Sequence, residues 1–180
     1  KDVIKNCLAM HGVRSLSKND IDYHPLHDYG SRKGREHHDF SYHNGDVWLW
    51  LAGPAIEGLI GIGEYKKAYN LNRKLVERLL TRGALGTLCE ILDGDNDSDS
   101  LGHSCGTISQ AWSLAEFVRV FYQCWLGIKP DAINRTLILM PQLPDELRRI
   151  TVTSFQNEGK INITYKKSKE GRLAIKILPI

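Results

Sequence analysis

Thr107-Ile-Ser-Gln-Ala-Trp-Ser-Leu-Ala-Glu-Phe-Val-Arg-Val-Phe-Tyr-Gln-Cys-Trp-Leu126 is the stretch on which the fold is read. Thr107 followed by Gln110 has capping-box spacing, and Gly127 supplies a C-terminal stop, so the spacing predicts a helix running to about Leu126. Apolar residues go nearly all the way round it: Ile108, Ala111, Trp112, Leu114, Phe117, Val118, Phe121 and Trp125. A helix of that kind is buried on most sides by other helices.

The segments upstream extend the helical reading. Gly53-Pro54 opens a short helix to Ile62, because proline is well tolerated at the first helical position. Glu64 to Arg82 is amphipathic, with Tyr65, Ala68, Leu71, Leu75, Val76 and Leu79 at three- and four-residue steps and Gly83 as its stop. His11 to Phe40 has no sustained period and reads as a long loop of the kind that lines sites. Downstream of Arg135 the period changes: Thr136–Met140, Ile150–Phe155, Lys160–Tyr165 and Arg172–Leu178 read as strands, with Asn157-Glu-Gly159 and Ser168-Lys-Glu-Gly171 as turns. The expected fold is therefore mainly α, residues 1–134, followed by a small antiparallel β appendage, residues 135–180.

Composition bounds the function classes. At 42% hydrophobic and 25% charged, the 180-residue chain can bury a core. Its net charge of +3 is scattered, which gives no electrostatic case for a nucleic-acid partner, and no apolar run is long enough to span a membrane. Cys7, Cys89, Cys105 and Cys124 lack metal or redox spacing and read as free thiols of a reducing, cytoplasmic setting. Asn96, Asn134 and Asn162 sit in Asn-x-Ser/Thr triplets, which chance explains as well as glycosylation does. Lys1 to Met10 reads like the tail of an amphipathic helix, so the expectation is a C-terminal piece of a longer protein.

Three segments carry chemistry. Thr87-Leu-Cys-Glu-Ile-Leu-Asp-Gly-Asp95 delivers Glu90 from an apolar run into an acidic loop, which would fix a carboxylate in direction yet keep it near water. Read locally, Glu90 is either a catalytic base or an ordinary surface residue. Tyr42, His43, Trp48, Trp50 and Trp112, with Asn44, Asp46 and Gln110, mix aromatic faces with polar groups, as sugar sites do and as helical cores also can. Asp93-x-Asp-x-Asp-x-Asp99 alternates like a calcium loop, but Ser104 stands where the closing glutamate belongs, so a solvated loop is the better reading. His24, His27, His37 and His38 match no zinc spacing. No metal and no cofactor is expected.

Taken in order, Gly12-Val-Arg-Ser-Leu16, Tyr42-His-Asn-Gly-Asp-Val-Trp-Leu-Trp-Leu-Ala-Gly-Pro54, Gly86-Thr-Leu-Cys-Glu-Ile-Leu-Asp-Gly94 and Cys105-Gly-Thr-Ile-Ser-Gln-Ala-Trp-Ser-Leu-Ala-Glu116 resemble the amylo-α-1,6-glucosidase part of glycogen debranching enzymes. The resemblance implies the C-terminal part of an α/α toroid and an inverting hydrolase that removes α-1,6-linked glucose from a branched α-glucan or limit dextrin. It implies Glu90 as general base, with Tyr42, His43, Asn44, Asp46, Trp48, Trp50, Gln110 and Trp112 lining the sugar pocket. The general acid of the family is an aspartate upstream of everything in this chain, so the expected partner is the missing N-terminal half, without which the piece is inactive. Other inverting toroid enzymes (trehalase-like, glucoamylase-like or a disaccharide phosphorylase) and a non-catalytic glycan-binding module stand as the alternatives.

Overall fold

A computed structural model describes residues 2–27, 36–95, 104–156 and 159–180. The chain divides into two compact units, Lys1–Phe121 and Tyr122–Ile180. Among the described residues no helix is long and apolar enough to cross a membrane.

The first unit carries α1 (Asp2–Asn6), β1 (Val13–Arg14), α2 (Glu36–Asn44), β2 (Val47–Trp48), α3 (Ala52–Gly61), α4 (Tyr65–Thr81), β3 (Ile91–Leu92), β4 (Ser104–Cys105) and α5 (Ala111–Arg119). The expected helix pair is present as α3 and α4, which pack on each other. Helix α4 buries Ala68, Leu71, Leu75 and Arg78 along one stripe, and Gly83, at φ +61°, turns the chain out of it. Helix α3 buries Ala52, Gly53, Ile56 and Leu59. A Cβ on Gly53 would lie 2.2 Å from Glu116 Oε2, so glycine lets α5 approach closely. Arg119 of α5 then holds Glu116 through Nε at 2.9 Å and Glu57 of α3 through a terminal nitrogen at 2.9 Å.

The fold is not mainly α. Of the described residues 34% are helical and 25% lie in strands, which form three antiparallel sheets. The correction has identifiable causes. Strands β1 to β4 are two residues each, too short for any alternation to show in the sequence, yet they form one sheet in the order β1-β2-β3-β4. Segments read as loop or approach to a helix are therefore sheet. The long loop reading from His11 fails at β1 and again at α2, while residues 28–35 lie outside the described residues.

The helix expected from Thr107 is also shorter and differently placed. It begins at Ala111, with Gln110 in extended conformation at its N-cap and no side-chain cap, and it passes at Val120 into a π-helix that runs to Trp125. Burial on most sides is not found. Within α5 only Ser113 is fully buried, whereas Trp112 and Val118 are half exposed.

The second unit contains β5 (Ile128–Asp131), β6 (Thr136–Leu139), β7 (Arg149–Gln156), β8 (Gly159–Lys167) and β9 (Leu173–Pro179). β5 and β6 form a hairpin, and β7-β8-β9 a three-stranded meander. The alternation in β8 is real: Ile163 and Tyr165 are fully buried, and the Tyr165 hydroxyl donates to the Leu126 carbonyl at 2.8 Å. Gly127, at φ +64°, passes so close to Met140 that a Cβ would meet its backbone at 2.1 Å.

Candidate active site

The small sheet brings together the segments that carry the candidate residues. Trp48 pairs with Ile91, and Ile91 with Cys105, so β2, β3 and β4 stand abreast with those three residues in one buried cluster. Tyr42, Trp50 and Leu51 pack against it. Glu90 precedes Ile91 on β3, and Gly106 follows Cys105 on β4. Continuing the antiparallel register sets them opposite each other. A Cβ on Gly106 would lie 2.9 Å from the Glu90 Cβ, and the Glu90 N–H donates one residue further along, to the Thr107 carbonyl at 3.0 Å.

Glu90 is 7% exposed, and Tyr42 and Thr107 converge on it. The Tyr42 hydroxyl donates to Oε1. The Thr107 backbone N–H donates to Oε2 at 2.9 Å, and the Thr107 hydroxyl reaches the same oxygen at 3.2 Å. Burial, the largest single influence, pushes the carboxyl up, but the Tyr42 and Thr107 hydrogen bonds and the charge of His27 outweigh it and hold Glu90 below the usual glutamate range. A carboxylate has about four acceptor positions, so these donors leave room for water.

Gly106 is what allows this. Its φ is +67°, and a Cβ there would lie 2.5 Å from Glu90 Oε2 and 2.9 Å from the Glu90 Cβ. Only glycine satisfies both the left-handed conformation and the missing space.

Around Tyr42 the rings are close. Tyr42 and Trp48 meet edge to face at 4.6 Å between centroids, Tyr42 and His43 at 4.9 Å, and His43 stacks on Trp48 at 6.0 Å with 11° between planes. The Trp48 indole N–H donates to the Tyr42 carbonyl at 3.0 Å, which ties β2 back to α2. His43 is exposed, so this aromatic group has one face toward solvent.

The remaining candidates fall in different surroundings. Asn44 accepts the His24 N–H at its carbonyl, 2.8 Å away. Gln110 accepts the Thr107 hydroxyl at 2.6 Å, the shorter of the two contacts open to that one proton, the other being Glu90 Oε2 at 3.2 Å. Asp46 is completely buried, with Oδ2 bonded to His27 Nδ1 at 2.9 Å and to the Ser41 hydroxyl at 3.2 Å. Burial, with Asp93 adding to it against Ser41, pushes Asp46 up to about 7. Trp112 is 52% exposed and shares no ring contact with the Tyr42–His43–Trp48 group.

Sequence reasoning missed Thr107, which it took for a helix cap, and His27, which it took for a solvated loop histidine. The contiguity of Cys105-Gly-Thr107 with a segment that must face Glu90 was the available signal for the first. For His27 there was none. Of the acidic loop, Asp93 accepts the His27 backbone N–H at 2.9 Å and Asp95 accepts the Tyr23 hydroxyl at 3.0 Å, while Asp97 and Asp99 lie outside the described residues. The side chains of His37 and His38 lie outside them too. Among the described residues no three histidine, cysteine or acidic side chains gather as a metal site.

Comparison with known proteins gives one family. A family model described as amylo-alpha-1,6-glucosidase matches residues 1–119, which ends with α5 inside the first unit. No curated protein matches the chain.

Proposed function

The chain belongs to the amylo-alpha-1,6-glucosidase family, and from that premise we propose that it carries the general base of a debranching glycoside hydrolase. The substrate is a branched α-glucan or limit dextrin, and the reaction is inverting hydrolysis of an α-1,6-linked glucose at the branch point. Glu90 takes a proton from water as the water oxygen attacks the anomeric carbon. The bond to the leaving O6 breaks, and an acid on the opposite side of the linkage protonates that oxygen. In an inverting geometry the two carboxyl groups are ~6.5–9.5 Å apart. Glu57 and Glu116 are both engaged with Arg119, so neither is assigned the role of that acid.

The observation that carries the reading is the donation to both oxygens of Glu90, by the Tyr42 hydroxyl and the Thr107 N–H. A base must be ionised, aimed and still open to water, and a buried carboxylate with a fixed donor on each oxygen meets all three conditions. His43, exposed and stacked on Trp48, offers an apolar face beside it for the C–H surface of a sugar, and Asn44 and Gln110 supply amides for its hydroxyl edge. The four cysteines are free thiols, three of them buried, which accords with a cytoplasmic setting.

The test is Glu90→Gln in the intact enzyme, with glucose release from a limit dextrin and dextrin binding both measured. Turnover falls by several orders of magnitude while binding persists, because only activation of water is removed. Turnover equal to wild type with binding intact would identify a glycan-binding module instead. A rate that depends on inorganic phosphate would identify a phosphorylase.

A further inference from the structure

The Tyr42–Glu90 pair is backed by a strap of chain, His24 to His27, whose place in the fold is closely built. The His24 N–H donates to the Asn44 carbonyl at 2.8 Å, the Gly94 N–H donates to the Pro25 carbonyl at 2.6 Å, and the His27 N–H donates to Asp93 at 2.9 Å. The strap is therefore sewn on one side to the segment that follows Tyr42 and on the other to the segment that follows Glu90. Two glycines make the approach possible. A Cβ on Gly45 would lie 2.1 Å from the His24 carbonyl oxygen, and one on Gly94 would lie 2.3 Å from the Gly45 carbonyl oxygen.

The strap delivers the His27 ring into a buried position. Nδ1 lies 2.9 Å from Asp46 Oδ2 and 3.1 Å from the Ser41 hydroxyl, and the ring centroid is 6.2 Å from that of Tyr42. We propose that His27 is a positioning residue for Glu90, seated by Asp46 and Ser41 and acting on the carboxylate across the Tyr42 ring. The proposal rests on the reading of Glu90 as the base. It also gives Asp46 a use that its complete burial allows, since a side chain with no exposed surface cannot touch a sugar.

The titratable groups that face this pair are Tyr42, Glu90, Asp93 and Cys105, and Arg14 reaches the same strap through a 2.8 Å bond from Nε to the Gly94 carbonyl. Positive charge on His27 draws Glu90 toward its ionised form, whereas burial works against it. Below about pH 7 Asp46 is neutral and does not offset a charge on His27, so that charge acts on Glu90 where the carboxylate would otherwise take up a proton.

His27→Asn tests this, because its side-chain amide can still donate to Asp46 Oδ2 but never carries charge. In the intact enzyme the acid limb of kcat/KM moves up by about 0.5–1 pH unit, as expected for loss of one charge at this remove, while the plateau stays within tenfold of wild type. A plateau that drops with the limb unmoved would show that His27 only supports the fold, and would overturn the proposal, as would no change in either. Titration of a 13C-labelled Glu90 carboxyl follows the same shift without relying on turnover, and His27→Gln serves should the asparagine variant fail to fold. Wild-type turnover in Glu90→Gln would remove the assignment of the base. An unmoved Glu90 titration in His27→Asn would remove the His27 role alone.

Discussion

Glu90 and Asp46 are both buried carboxylates of the same unit, and the structure treats them in opposite ways. Glu90 receives the Tyr42 hydroxyl on one oxygen and the Thr107 N–H on the other, and is held below the usual glutamate range despite its burial. Asp46 receives the Ser41 hydroxyl and the His27 ring on one oxygen, while its Oδ1 has no hydrogen-bond partner among the described residues, and burial pushes it up to about 7. Burial therefore does not decide whether a carboxylate is charged. Whether the surrounding backbone and side chains aim donors at both of its oxygens does.

The largest expected effect comes from breaking the Asp46 side of this contrast. Its folded-state value is raised above the unfolded one, so the folded protein holds a proton through the window from about pH 4 to about 7. The associated stability is present at the acid end and is lost as pH rises through that window. Asp46→Asn removes this dependence. Between pH 4 and 8, urea unfolding should shift in favour of the variant relative to wild type by up to about 4 kcal/mol. Parallel curves across that range would mean that His27 keeps Asp46 ionised.

Gly106→Ala attacks the Glu90 side through space rather than charge. A side chain at φ +67° that also overlaps the Glu90 carboxylate should destabilise the protein by about 3 kcal/mol. Hydrolysis should fall at least tenfold at temperatures where the variant is still folded.

Tyr42→Phe makes Glu90 more like Asp46 by removing one donor. Loss of a hydrogen bond to a charged group should cost about 2 kcal/mol. The same loss raises the Glu90 pKa, so the acid limb of kcat/KM moves up. An unmoved limb would show that Thr107 alone keeps the base ionised. Trp112→Ala lies outside both networks, and its stability effect should stay within about 0.5 kcal/mol because the ring is half exposed. If Trp112 lines the sugar path, KM rises while kcat holds.

What could be read in the sequence follows from the length over which each element repeats. Helix α4 runs 17 residues, long enough for its apolar stripe to show, and β8 alternates over nine. The sheet that assembles the candidate site has strands of two residues, and no periodicity exists at that length. The motif segments were recognisable as a set, and their resemblance to one family agrees with the family match, but nothing in them says that they meet edge to edge as strands. Thr107 shows how a local signal can be correct in chemistry and misplaced in structure. Its hydroxyl does bond to Gln110, three residues on, but its backbone N–H goes to Glu90 and the helix begins only at Ala111. The apolar run from Ala111 to Trp125 misled in another way. It breaks at Val120 into a π-helix and leaves Trp112 and Val118 half exposed, because composition all round a helix does not say which face is covered.

The central claim is that Glu90 activates the water that attacks the anomeric carbon. It is tested most directly by replacing both base and water. With α-glucosyl fluoride as substrate, Glu90→Ala in the intact enzyme should be slowed by several orders of magnitude, since the general base is gone. Added azide, which needs no deprotonation, should restore turnover and yield β-glucosyl azide, the product of attack from the Glu90 side. Undiminished turnover by Glu90→Ala, with azide neither accelerating the reaction nor appearing in the product, would contradict it.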